Sequence, residues 1–160
     1  MTPSQFTYQV LDIRRGTTVD GPGLRTSLYL AGCRHHCPEC HNPDSWDENG
    51  GATMTLDEIL EVIKDEDFDV TLTGGDPLMH PESTAVLAAA IKSLGKNIWL
   101  YTGYTYEQIL ADPRLRSAIA DIDTIVEGPF VAALRDPDLL FRGSSNQRII
   151  HLNDNSCVNS

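Results

Sequence analysis

The chain has 160 residues, 41% of them hydrophobic, which suits one compact domain with its own core but falls short of a closed eight-unit α/β barrel at about 250 residues. Its net charge of -11, from 23 acidic side chains against 12 basic ones, opposes the phosphate neutralisation on which nucleic-acid binding depends. No apolar run approaches the roughly 20 residues of a membrane span, and Met1 to Tyr8 lacks the basic-then-apolar layout of a signal peptide, so the expectation is a single cytoplasmic domain over residues 1–160 with no nucleic-acid or membrane partner.

Alternating apolar positions at Phe6, Tyr8 and Val10 predict a first strand, and the run Ser27 to Leu30 a second, with a turn at Asp20 to Gly23 between them. Cys33 to Met54 is rich in breakers and poor in periodicity, which predicts a long loop of the kind that carries function. Thr55 and Glu58 match a capping box ahead of Leu56, Ile59, Leu60 and Ile63 at helical spacing. A short strand, Val70 to Thr73, runs into Gly74, Gly75 and Asp76. Val86, Leu87, Ala90, Ile91 and Leu94 predict a helix capped by Ser83, its start delayed by Pro77 and Pro81. Beyond it lie a strand at Ile98 to Tyr101, a helix at Thr105 to Ala111, and strands at Thr124 to Val126 and Arg148 to Leu152. Strands alternating with helices predict parallel pairing and an open α/β fold, and the polar tail 153–160 is expected to be disordered.

Three of the four cysteines, Cys33, Cys37 and Cys40, crowd into the spacing C-x3-C-x2-C directly after the strand that ends near Ala31 and Gly32. Clustering of this kind in a reducing compartment points to metal rather than disulfides. It places three soft ligands at the carboxyl edge of a sheet, where open α/β folds bind their ligands. A [4Fe-4S] cluster takes four thiolates, so three leave one iron open to a substrate or cofactor. Structural zinc, with His35, His36 or His41 as a fourth ligand, is the alternative. Cys157 stands alone and is expected to be a free thiol. Gly74 to Asp76 would let a ligand approach the backbone and offer an acid to a cationic group, or would merely form a strand-to-helix turn.

The cysteine loop, CRHHCPECHN from Cys33, resembles that of the radical S-adenosylmethionine enzymes, and Asp20 to Arg25 (DGPGLR) resembles the glycyl-radical-enzyme activases. Later blocks are most similar to the subfamily that activates anaerobic ribonucleotide reductases: Thr73 to Leu78, Trp99 to Glu107, Glu127 to Phe130 and Phe141 to Arg148. The resemblance implies an open partial (β/α) barrel with about five to six parallel strands. It also implies one [4Fe-4S] cluster on Cys33, Cys37 and Cys40, with S-adenosylmethionine contacted by Glu39, Cys40, His41, Gly74, Gly75 and Asp76. Glu39 stands where many relatives carry an aromatic residue, so approach by the backbone from Glu39 to His41 is the expected contact. No side chain is expected to act as acid or base. The implied reaction is reductive cleavage to a 5′-deoxyadenosyl radical, which takes hydrogen from a glycine of the reductase. The implied electron source is a low-potential donor such as flavodoxin or ferredoxin. Competing readings are a radical enzyme acting on a free metabolite, an activase for another glycyl-radical enzyme, and a zinc module without catalysis. Gly21 to Gly23 is expected to shape the mouth of the site, Thr102 to Tyr104 to lie on the ligand edge, and Arg142, Asn146 and Gln147 to serve the cofactor pocket or partner docking.

Overall fold

The computed structural model of the chain describes residues 6–18, 21–31, 51–129, 131–136, 139–142 and 144–152. They form a seven-stranded sheet in the order β3-β1-β2-β4-β5-β6-β7. Its strands are β1 (Thr7–Thr17), β2 (Arg25–Leu30), β3 (Ala52–Thr55), β4 (Asp69–Gly74), β5 (Ile98–Tyr101), β6 (Thr124–Glu127) and β7 (Arg148–His151). β2, β4, β5 and β6 pair in parallel, while β1 runs antiparallel to both β2 and β3, and β7 antiparallel to β6. The α/β class expected from the sequence is correct. The parallel block has four strands among the described residues, not five to six, because the hairpin and the returning edge strand reverse direction. β6 and β7 are joined by a segment whose described residues include only a short 3-10 turn, Ala132–Leu134, so no helix carries the chain across the sheet for a parallel return.

The helices are α1 (Leu56–Lys64), α2 (Pro81–Ser93), α3 (Tyr106–Ala111) and α4 (Pro113–Ala118). Thr55 caps α1 as expected: its hydroxyl accepts from the Glu58 N–H at 3.2 Å and its N–H donates to the Glu58 carboxylate at 3.0 Å. Thr105 and Gln108 form a second capping box on α3. α2 begins at Pro81 rather than at a Ser83 cap. Proline fits the first helical position, since its fixed φ is already helical and it has no N–H to satisfy, so Pro81 starts the helix instead of delaying it. Ser83 instead donates its hydroxyl to the His80 carbonyl. Pro77 likewise opens a 3-10 turn, Pro77–Met79, capped by Asp76. β3 emerges at the end of the predicted loop as a short edge strand; it has no apolar alternation to betray it because it is mostly exposed. α4 escaped the sequence reading for want of apolar repeats, although Asp112 followed by Pro113 is a cap signal.

One face of the sheet contributes Leu28, Leu30, Val70, Leu72, Ile98, Leu100 and Ile125 to a core shared with Ile59, Ile63, Leu87, Ile91, Ile109, Leu115 and Ile119 from the helical side. Side chains alternate along a strand, so the residues between those strand positions face the other way. The opposite face is polar and aromatic. Registered neighbours there form one row, Ser27, Thr71, Trp99, Thr124 and His151. No described helix is long and apolar enough to cross a membrane.

Candidate functional site

The parallel strands all end at the same edge. Ala31 follows β2 there and donates its N–H to the Gln9 carbonyl at 2.9 Å. The chain re-enters the described structure at Gly51, next to β3, whose Ala52 pairs with Val10. Gly51 has φ +77°, and a Cβ on it would fall 2.3 Å from the Val10 carbonyl oxygen. Ala31 and Gly51 thus lie beside neighbouring residues of β1, Gln9 and Val10. Cys33, Cys37, Cys40, Glu39 and His41 lie in the segment 32–50 and, like Cys157, outside the described residues.

Gly74 ends β4 at φ +104°, and a Cβ there would meet the Leu30 nitrogen at 2.4 Å and its oxygen at 2.5 Å. The need for glycine at this position is therefore already met by the backbone of β2, a reason the sequence alone does not reveal. Gly75 donates its N–H to the Leu30 carbonyl at 2.7 Å. Asp76 is 2% exposed. Its Oδ1 accepts from the Leu78 N–H at 2.9 Å and its Oδ2 from the Gly103 N–H at 2.9 Å, and the Thr102 hydroxyl lies 2.9 and 3.0 Å from the two oxygens. The acid read as a partner for a cationic group is folded inward onto the next turn.

Thr102 to Tyr104 lies on the same edge, as expected. Thr102 donates its N–H to the Val126 carbonyl, and Gly128 donates to the Tyr104 carbonyl. Tyr106 donates its N–H to buried Glu127, whose carboxylate also binds the Arg148 guanidinium at 2.8 and 3.0 Å. Arg148 reaches Glu107 as well, and these two carboxylates raise its pKa. A chain of ties therefore crosses the edge from β2 to β7.

The polar face changes character along the strands. Ser27, Thr71 and Trp99 are buried, whereas Tyr29, Thr73 and Tyr101, one step nearer the edge, are partly exposed. Below the buried row sits Arg25, 1% exposed. It donates to Thr71 Oγ1, to the Pro22, Val70 and Asn97 carbonyls and to Asn97 Oδ1, at 2.8 to 3.2 Å. Burial lowers its pKa, opposed by the charges of Asp69 and Asp123. Its guanidinium lies 5.7 Å from the centroid of the Trp99 ring.

Gly21 to Gly23 does not shape the mouth of this site. The turn precedes Arg25, which pairs with Asp69 at the start of β4, so it lies at the opposite edge, about 20 Å away along a six-residue strand. A Cβ on Gly21 would meet Arg25 Cδ at 2.8 Å, so this glycine makes room for the buried arginine. The polar block before β7 is tied to the block that follows β6. Gln147 donates its amide to the Gly128 carbonyl and Asn146 to the Pro129 carbonyl, while Arg142 donates to the Gln147 carbonyl. The two late sequence blocks buckle onto each other, and their described hydrogen bonds go to the chain itself.

Among the described residues, no group of three or more His, Cys, Asp or Glu side chains could hold a metal ion. The candidate donors are the three cysteines of the 32–50 segment. Three thiolate donors are soft ligands and one short of the usual four, a set that fits an iron-sulfur cluster able to take a further ligand.

Residues 19–150 match the family described as a 4Fe-4S single cluster domain. The anaerobic ribonucleoside-triphosphate reductase-activating protein of Escherichia coli K12 is 37% identical over 146 residues, covering 84% of this chain and 92% of the relative. Its namesake from Pasteurella multocida is 39% identical over 82% of this chain and 89% of the relative, and that of phage T4 35% over 82% and 86%. Among solved structures, QueE from Escherichia coli superposes with a TM-score of 0.52 over 62% of this chain and 53% of QueE, at 18% identity, a likeness of fold alone. The chain belongs to the 4Fe-4S single cluster domain family and, within it, to the anaerobic ribonucleoside-triphosphate reductase-activating proteins.

Proposed function

We propose that the chain activates an anaerobic ribonucleoside-triphosphate reductase by installing a glycyl radical on it, using a [4Fe-4S] cluster and S-adenosylmethionine. The observation that carries this reading is convergence: Ala31 and Gly51, which flank the cysteines in sequence, lie at the carboxyl edge of the sheet, the edge where Gly74 to Asp76 meets Thr102 to Tyr104. When bound, the reduced cluster supplies one electron to the sulfonium, giving methionine and a 5′-deoxyadenosyl radical that takes a hydrogen atom from a glycine of the reductase.

Cys33, Cys37 and Cys40 would ligate three irons, leaving the fourth to the amino and carboxylate groups of the cofactor. The peptide groups of Glu39 to His41 would approach the adenosine, and those of Gly74 and Gly75 the methionine end. The buried row Ser27, Thr71 and Trp99, backed by Arg25, closes the lower end of the polar face and keeps bulk water from it. Because the substrate hydrogen leaves as an atom, none of these side chains need act as a base. Reduction would come from a low-potential donor such as flavodoxin or ferredoxin.

Anaerobic reconstitution with iron and sulfide, followed by assay for 5′-deoxyadenosine with dithionite as reductant, tests the reading. A brown protein that forms 5′-deoxyadenosine is expected. A colourless, zinc-loaded protein that forms none contradicts it.

A further inference from the structure

Taking this edge as the S-adenosylmethionine site, we propose that Asp76 is a positioning residue. Its carboxylate clasps the turn after β4 to the turn after β5, which holds the Gly74 and Gly75 peptide groups in place for the cofactor, and it does not itself receive the cofactor's ammonium.

The geometry supports this in three steps. First, the carboxylate is directed into the protein, 2% exposed, and takes donors from both turns: Leu78 N–H on its own side, Gly103 N–H and the Thr102 hydroxyl on the other. Second, Thr102 is a fixed post. It is 5% exposed, its N–H is held by the Val126 carbonyl, and its Oγ1 accepts from the Tyr104 N–H at 3.1 Å, which leaves its single hydroxyl proton for Asp76. Third, the turn that Asp76 terminates is held from the other side by the hydrogen bond from Gly75 to the Leu30 carbonyl. The glycine peptides are therefore stretched between β2 and β5, with the carboxylate as one of the two attachments. Hydrogen bonds to a charged acceptor are among the stronger ones in a buried setting, so losing this attachment frees the turn on that side.

A set of variants separates a clasp from a direct contact, read as equilibrium binding of S-adenosylmethionine to the cluster-loaded protein, with iron content measured in parallel. Thr102→Val keeps the shape and removes the hydroxyl. It leaves Asp76 charged and still hydrogen-bonded to Leu78 and Gly103, so a direct ion pair with the cofactor would survive it. The clasp predicts about tenfold weaker binding by Thr102→Val at unchanged iron content, as for one lost hydrogen bond to a charged group. It also predicts recovery in Thr102→Ser, which restores the hydroxyl. The clasp is overturned if Thr102→Val binds like wild type while Asp76→Asn binds more weakly. It is equally overturned if iron content falls in step with binding or if Thr102→Ser fails to recover. Absence of binding by the cluster-loaded wild-type protein would instead defeat the functional reading on which the clasp rests.

Discussion

Phe141 stands edge-on to Trp99, with ring centroids 5.3 Å apart and planes at 78°, and it holds this position at φ +64°, the one non-glycine residue with positive φ among those described. Left-handed backbone in a bulky residue costs on the order of 1 kcal/mol or more, so the ring contact must be compensating for it. Phe141→Gly loses the ring but relieves the backbone, whereas Phe141→Ala loses the ring and keeps the strain. Urea unfolding should find Phe141→Ala less stable than Phe141→Gly by about 1 kcal/mol. The reverse order would mean that the backbone at this position is unstrained.

Arg25 is the fastener at the start of three parallel strands. Arg25→Met should cost about 3 kcal/mol or more, because it takes the buried arginine donor from the Val70 and Pro22 carbonyls and from Asn97 Oδ1. Arg25→Lys should recover only part of this, since an ammonium cannot span acceptors placed for a planar fork. Denaturant midpoints of the two variants check the prediction, and a wild-type midpoint for either would contradict it.

Gly74→Ala should destabilise the protein by about 3 kcal/mol or more, for both the positive φ and the 2.4 Å approach to the Leu30 nitrogen. Circular dichroism melting of the protein before cluster insertion isolates the effect from the metal. An unshifted melt would show that β2 and β4 yield easily at this edge.

Cys33→Ser, Cys37→Ser and Cys40→Ser should each lose the normal cluster, whereas Cys157→Ser should keep it. Iron and sulfide content together with the visible absorbance of reconstituted protein decide the matter. A wild-type cluster in Cys37→Ser would remove that residue from the ligand set.

Sequence reasoning reached the strands of the parallel block and the cap of α1 because both rest on local signals: the apolar run Ser27 to Leu30, and Thr55 with Glu58 three residues on. It missed β3, whose exposed threonines lack alternation, and it read Pro77 and Pro81 as obstacles when each opens a turn of helix. The candidate site was legible as residue types, not as contacts. Asp76 was singled out for its charge, but its bonds to Thr102 and Gly103 span 26 and 27 positions and leave no periodic trace. For the same reason Asn146 and Gln147 stood out as a polar block without revealing that they bind the carbonyls of Pro129 and Gly128.

The central claim is radical transfer to a partner, and electron paramagnetic resonance of the activation mixture tests it most directly. The cluster-loaded chain, its own organism's anaerobic reductase, S-adenosylmethionine and reductant are combined without oxygen. The account predicts a protein-based doublet that collapses when the reductase glycines carry deuterium at Cα. Continued formation of 5′-deoxyadenosine with no such signal on the reductase would contradict it.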